Sequence, residues 1–517
     1  VLGRRSLPLV CAALAVAAHL TATTPAHATH GETCHTESRA WRYVVVFDPG
    51  TTKAGARDMV ESACGTLTGY FPEIAIAVAT SADPGFDDTL GRDRAFSAER
   101  ARHLRRGSAT ATSTHTRRHG DTRNGQAAAG RDDAGGHSTG DTGPGDRRRG
   151  PNGDGAGARA SDRTREQWNL RMADAPDSGT DPTRSAQADL ADVTVGVLDS
   201  GIDDTHPDLA RAVDPAASAG CVGGVPDRRR SSWTAGESAH GTHVAGIIGA
   251  ADDGHGVTGT APGVRLASLR VVDDEGYVTP EAAVCGYVWA ARHGMAVANS
   301  SVTVAPSGVS CAASRGRRVV HEAVSRAVEF AERSGTLTVA AATNDGFDLD
   351  PLPHSELSGG SGVDDLARSC VAVPAGLREA VTVAAVDHHG AATDYSSYGR
   401  AVIDLAAPGG TEGHCVLSTV PGGHDRLCGT SMAAPHVAGA AALLAAARSG
   451  DSSPATLGRM LQAQARPIHC SGTAREDGGC TGPRGDEAHY GSGMVNIGAA
   501  YTAHAVHRLL VRLDGAH

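Results

Sequence analysis

The chain holds 517 residues, with 47 basic against 58 acidic side chains and a formal net charge of −11. That balance excludes nucleic acid as a main partner, and the lack of a sustained triplet or heptad repeat excludes collagen-like and coiled-coil architectures. The length allows one large core and a smaller companion, while aromatic residues at 3% and a single lysine, Lys53, among many arginines read as coding bias and not as function.

At the start, Arg4 and Arg5 precede an apolar run from Leu7 to Ala18 and then Ala26-His27-Ala28. These are the charged, apolar and small-residue regions of a secretory signal, residues 1–28, with cleavage expected after Ala28. A run of about twelve apolar residues falls short of the roughly twenty that span a bilayer. Export of a secreted, extracellular product is therefore expected, with no membrane partner. Loss of Cys11 with the signal leaves ten of the eleven cysteines, an even number that favours disulfides over metal ligation or free thiols. Cys415 with Cys428 and Cys470 with Cys480 are the nearest pairings in sequence.

Within residues 29–104 the pattern predicts a small α/β unit, with a strand at Tyr43–Phe47, a helix near Thr52–Cys64, a strand at Ile74–Val78 and a second helix at Phe96–Leu104. A unit of that size sits near the lower limit for independent stability and needs a partner surface. Hydrophobic periodicity vanishes over residues 105–165, which read as a disordered Gly/Arg/Asp-rich linker. Its arginine clusters, Arg105-Arg106, Arg117-Arg118 and Arg147-Arg148-Arg149, are targets for proteolysis. From 166 to 517, short apolar strands (VTVGVLD, RLASLRVV, TLTVAAA, AVTVAAV) alternate with helical segments (AAVCGYVWAARHG, HEAVSRAVEFAERSG, VAGAAALLAAA). Such alternation predicts an α/β class with a mainly parallel central sheet flanked by helices. Pocket residues then belong at the carboxyl ends of the strands.

Three segments carry polar residues of catalytic type among small ones. Asp199 closes the strand in VTVGVLDSGIDDTHPDL, His240 and His243 precede an apolar helical run in HGTHVAG, and Ser431 opens a helix in GTSMAAPHVAG. Serine is a poor nucleophile until an imidazole takes its proton, and a buried carboxylate fixes that imidazole's tautomer and stabilises its charge. Each residue alone is an ordinary cap or packing group. Together the three segments resemble the subtilisin-like serine peptidases, from about Gln167 to GSGMVNIGAA.

The resemblance implies a three-layer fold, a serine endopeptidase made as a zymogen, and residues 29–104 as an inhibitory, chaperone-like propeptide acting on residues 166–517. It makes Asp199 the orienting carboxylate, His240 the general base, Ser431 the nucleophile and Asn344, in TLTVAAATNDG, the oxyanion donor. His243 is expected only to pack or to hydrogen-bond. Substrate is expected along Ser301, Val302 and Thr303, which replace the family's Ser-Leu-Gly, and beside Thr343, where most relatives have glycine. Both departures suggest a narrowed pocket that prefers small or modest residues before the scissile bond, although Asp345 could instead favour a basic one. A structural calcium ion is drawn to Asp208 and Asp253; no cofactor is needed for the chemistry. Pro374 is expected to be cis, and the enzyme a monomer acting on peptide or protein substrates. Two alternatives stay open: a narrow-specificity peptidase that removes the leader of one peptide product, and a catalytically silent peptide-binding homologue.

Overall fold

The computed structural model describes residues 34–104, 162–176, 190–304, 309–311, 315–349, 370–400, 402–447, 453–468 and 487–514. The chain divides into residues 1–35 and a compact unit, residues 36–517, which carries every element below. The signal segment, linker residues 105–161 and the pair Cys470 and Cys480 lie outside the described residues.

The N-terminal part contains β1 (Trp41–Val46), a helix (Lys53–Ser62), β2 (Thr66–Phe71), β3 (Ile76–Ser81), a short helix (Phe86–Leu90) and β4 (Ala95–Phe96). Residues 98–104 are helical. The strands form an antiparallel sheet in the order β2-β3-β1-β4. The first helix starts where Thr52 Oγ1 accepts the Gly55 N–H at 3.1 Å, one of the orphan donors of a helix start. Strand β1 is buried on both sides: Tyr43 and Val45 join Phe47, Ala56 and Val60 in a local core, while Val44 and Val46 face the large core with Phe71, Ile76 and Val78. Periodicity predicts β1, the first helix, β3 and the helical residues near 98–104, and misses β2, the short helix Phe86–Leu90 and β4. The TLTGYF run of β2 slips register between Leu67 and Gly69, and β4 is two residues held only by Val44 and Val45.

The larger part contributes β5 (Thr194–Asp199), β6 (Ala219–Gly220), β7 (Arg265–Arg270), β8 (Val297–Ser300), β9 (Val309–Cys311), β10 (Leu337–Ala341), β11 (Cys370–Ala372), β12 (Ala380–Val386), β13 (Leu405–Pro408), β14 (Val416–Val420) and β15 (Gly423–Leu427). A seven-stranded sheet runs β13-β12-β10-β8-β5-β7-β6 with every ladder parallel, the α/β architecture expected. Alternation along each strand divides the core between its faces. Val197, Val297, Val339 and Val383 pack against the helices His240–Gly249 and Thr430–Ala446, whereas Leu198, Ala298 and Ala340 pack against Pro280–Arg292 and Arg315–Arg333. The chain leaves β5 towards β7 and returns to β8 on its other side. That reversal opens a crevice at the carboxyl ends of β5 and β8.

Cys415 and Cys428 are bonded and close the β14–β15 ribbon, while Cys221 and Cys285 tie the end of β6 to the Pro280–Arg292 helix. The Val373–Pro374 peptide is cis. Residues 162–165, assigned to the linker by composition, already pack on the large part: Arg163 N–H bonds the Gly256 carbonyl at 2.7 Å. Among the described residues no helix is long and apolar enough to cross a membrane.

Candidate active site

Asp199 ends β5 and is fully buried. Its Oδ1 accepts the Ser200 N–H at 2.7 Å and the His240 Nδ1–H at 2.7 Å. The helix that carries His240 can come this close because its next residue is glycine: a Cβ on Gly241 would stand 2.4 Å from the Gly201 carbonyl oxygen. Burial works against an imidazolium at His240, but the Asp199 charge and hydrogen bond outweigh it and hold the pKa above its ordinary value. With Nδ1 engaged and the side chain 32% exposed, Nε2 is the nitrogen left for a proton transfer.

Ser431 lies in the first turn of the Thr430–Ala446 helix, which packs against the His240–Gly249 helix. Its Oγ donates to the Ser301 carbonyl at 3.0 Å, and Ser301 Oγ donates back to the Ser431 carbonyl at 3.0 Å. Pro435 explains the second bond. Four residues after Ser431, it has no N–H to give that carbonyl, and Ser301 supplies the missing donor. Ser301 is held in turn by Asn299 Nδ2 at 3.0 Å. From buried Ser301 the chain passes to half-buried Val302 and exposed Thr303.

Asn344 follows β10 and is exposed. Its Oδ1 accepts the Thr430 N–H at 3.0 Å and lies 2.9 Å from Thr430 Oγ1, which orients Nδ2 the other way. A Cβ at Gly429, where φ is +148°, would stand 3.4 Å from Asn344 Nδ2 and 3.7 Å from the Ser431 nitrogen. Two N–H donors therefore border one small space kept open by glycine. Thr343 is buried, and its Oγ1 lies 2.6 Å from Ser397 Oγ. Asp345 is exposed.

The structure thus joins Asp199 to His240, Ser301 to Ser431, and Asn344 to the turn before Ser431. Motif reading missed Asn299, Ser397 and Thr430 as supports. A polar Asn299 inside the fully buried strand VANS is the one sequence signal that pointed to a structural hydrogen bond. The other histidines on the two helices are neutral. His243 Nε2 faces the Val416 and Asp425 carbonyls at 3.1 and 3.2 Å, and burial together with His240 pushes its pKa down to about 3. His436 Nδ1 donates to the Met432 carbonyl at 2.8 Å, leaving Nε2 to accept from Asn169 at 2.9 Å; burial lowers its pKa to about 4.

Asp208 and Asp253 do not fit a calcium ion. Asp208 Oδ2 accepts the Val257 N–H at 3.0 Å and His424 Nε2–H at 2.8 Å. The backbone of Gly256 presses on the same oxygen so closely that a Cβ there would stand 2.1 Å away. Calcium needs six to eight oxygens around it, and a histidine N–H takes the place such an ion would need. Asp253 turns instead to His255, whose Nδ1 lies 3.5 Å from Oδ1. Among the described residues no group of three or more His, Cys, Asp or Glu side chains is arranged to hold a metal.

Comparison with known proteins agrees with this geometry. The sequence model of the peptidase S8 group, described as the subtilase family, matches residues 191–493. Subtilisin DY of Bacillus licheniformis is 34% identical over 311 residues, 60% of this chain and 91% of that protein. Thermitase of Thermoactinomyces vulgaris is 33% identical over 253 residues, 48% of this chain and 74% of its own. The solved structure of the epidermin leader peptide processing serine protease from Staphylococcus aureus superposes with a TM-score of 0.59 at 18% identity, covering 90% of this chain and 98% of that one. That last likeness is one of fold.

Proposed function

Because the chain belongs to the subtilase family of serine peptidases, we propose that it is a secreted endopeptidase made as a zymogen, with Asp199, His240 and Ser431 as its triad. The observation that carries this reading is the 2.7 Å bond between His240 Nδ1 and the fully buried Asp199 carboxylate. Asp199 fixes the tautomer so that His240 Nε2 accepts the Ser431 proton. Ser431 Oγ then leaves the Ser301 carbonyl and bonds the peptide carbonyl carbon. The proton passes from His240 to the leaving amine as the scissile C–N bond breaks, and water attacks the acyl-enzyme by the reverse proton path. Asn344 Nδ2 and the Ser431 N–H meet the oxyanion, an Asn344-type donor being worth about two to three orders of magnitude in rate.

Substrate runs along Val302 and Thr303, where the chain emerges from the buried sheet. The bulk of Thr343 supports a preference for small or modest residues before the scissile bond; equal cleavage after large aromatic residues would sink that preference. The N-terminal domain is the propeptide. Its docking supports the assignment, since Val44, Val46, Ile76 and Val78 share one core with the helices Pro280–Arg292 and Arg315–Arg333. Removal requires a cut between residues 105 and 165, and the mature product acts as a monomer.

The test is to express the full chain beside Ser431→Ala and to follow mass, N-terminal sequence and peptide hydrolysis. Shortening to a start near Gln167 and hydrolysis by the parent alone support an autocatalytic zymogen. Shortening of both chains assigns processing to another protease. A folded, processed parent that attacks no peptide in a broad library overturns the general-peptidase reading in favour of a leader-specific or silent protein.

A further inference from the structure

We infer that Ser397, far from every motif of the site, is the positioning residue that holds the Asn344 amide where an oxyanion forms, by clasping the segment on both sides of it. The inference rests on the oxyanion role proposed for Asn344.

Beyond β10 the chain takes one more ladder bond, from Ala342 N–H to the Val383 carbonyl at 2.9 Å, and then leaves the sheet. From Thr343 onward its partner is the segment around residues 395–398. Ser397 N–H donates to the Thr343 carbonyl at 2.9 Å, and Ser397 Oγ pairs with Thr343 Oγ1 at 2.6 Å. The same Oγ accepts the Phe347 N–H at 3.2 Å. Gly346 N–H bonds the Tyr395 carbonyl at 2.9 Å, and Tyr398 N–H bonds the Phe347 carbonyl at 3.0 Å. Asn344 is therefore the exposed middle of a loop whose two ends converge on a single, fully buried hydroxyl.

The asparagine cannot hold itself. Its only anchors among the described hydrogen bonds run from Oδ1 to Thr430. The segment that carries Ser397 also steadies the opposite donor: Tyr395 OH donates to the Gly410 carbonyl at 2.7 Å, beside Gly409, whose carbonyl accepts the Gly429 N–H at 3.1 Å. Gly429 precedes the turn that presents the Ser431 N–H. Both donors are thus referred to one segment, residues 395–397, and the Thr343 hydroxyl is engaged by Ser397. Preorganised donors work only if they are already in place when charge develops, and a misplacement of about 1 Å can cost about a hundredfold.

The experiment measures hydrolysis of a chromogenic peptide anilide by protein expressed as the full chain and allowed to mature. Ser397→Ala is expected to lower kcat by about tenfold to a hundredfold with KM within about twofold. Thr343→Val, which deletes the partner hydroxyl without changing shape, should lower kcat likewise. In an Asn344→Ala background, Ser397→Ala should cost almost nothing further. An equal loss in both backgrounds overturns the inference, as does a change in KM alone. If Asn344→Ala itself leaves kcat unchanged, the oxyanion reading falls and this inference with it. Should Ser397→Ala fail to fold, Thr343→Val carries the same comparison in the two Asn344 backgrounds.

Discussion

Two histidines three positions apart on one helix show how neighbours set the chemistry of a side chain. His240 meets the Asp199 carboxylate and its pKa rises; His243 meets two carbonyls and its pKa falls to about 3. A general base must be neutral, so the raised value moves the acid limb of the pH–rate profile up from where an unpaired histidine would set it. Asp199→Asn should lower kcat by about ten-thousandfold and shift that limb to lower pH, which a kcat/KM profile would reveal. The stability linked to the pair runs the other way. It is complete below the unfolded histidine pKa and fades as pH rises through the folded one, so the conditions that activate the base also relax its hold on Asp199.

Between elements, the Asp208–His424 pair fastens the β14–β15 ribbon to the loop at Val257. Burial would raise the Asp208 pKa, but His424, the Val257 N–H and His206 bring it below the usual carboxylate value. A depressed carboxylate contributes stability above its unfolded pKa and loses it as pH falls through the folded one. Calorimetry or denaturant unfolding of the inactive Ser431→Ala protein should find no effect of a calcium chelator. His424→Ala, which strips a buried carboxylate of its partner, should cost about 3–5 kcal/mol. A large loss of stability on chelation would restore the metal site. The Thr430–Ala446 helix illustrates a similar substitution of one bond for another, since Ser301 donates the hydrogen bond that Pro435 removes.

At the scale of the whole molecule, docking of the N-terminal domain covers Glu281. This carboxylate, in the first turn of the Pro280–Arg292 helix, is fully buried. Arg42 of β1 stands 4.0 Å away but is spent on Glu99 at 3.0 Å and the Val222 carbonyl at 3.2 Å. Burial, with Glu99 adding to it, pushes the Glu281 pKa up to about 7, against the pull of its own backbone N–H, Arg42 and Thr279. The docked state therefore keeps a proton that an exposed glutamate would release near 4.5. Binding should be strongest below that value, weaken roughly tenfold per pH unit as pH rises towards about 7, and level off beyond it. Dissociation of the N-terminal domain from Ser431→Ala protein cut in the linker measures this directly. Glu281→Gln should bind tightly and flatten the profile; an unchanged slope would place the proton elsewhere.

Local order alone carried much of this protein. Period-two and helical patterning require only near neighbours, so the alternation of strands and helices and the parallel sheet were legible, while the motifs singled out Asp199, His240 and Ser431 as candidates. The Cys415–Cys428 bridge was legible because its thirteen-residue separation is short. Cys221–Cys285, the Ser397 clasp and the Glu281 interface were not, because their partners lie 64, 54 and 239 positions apart. What faces Asp208 was illegible for the same reason. Asp208 has acidic character in the sequence, but whether a metal or a histidine faces it depends on residue 424, and only the packed fold brings that imidazole to it.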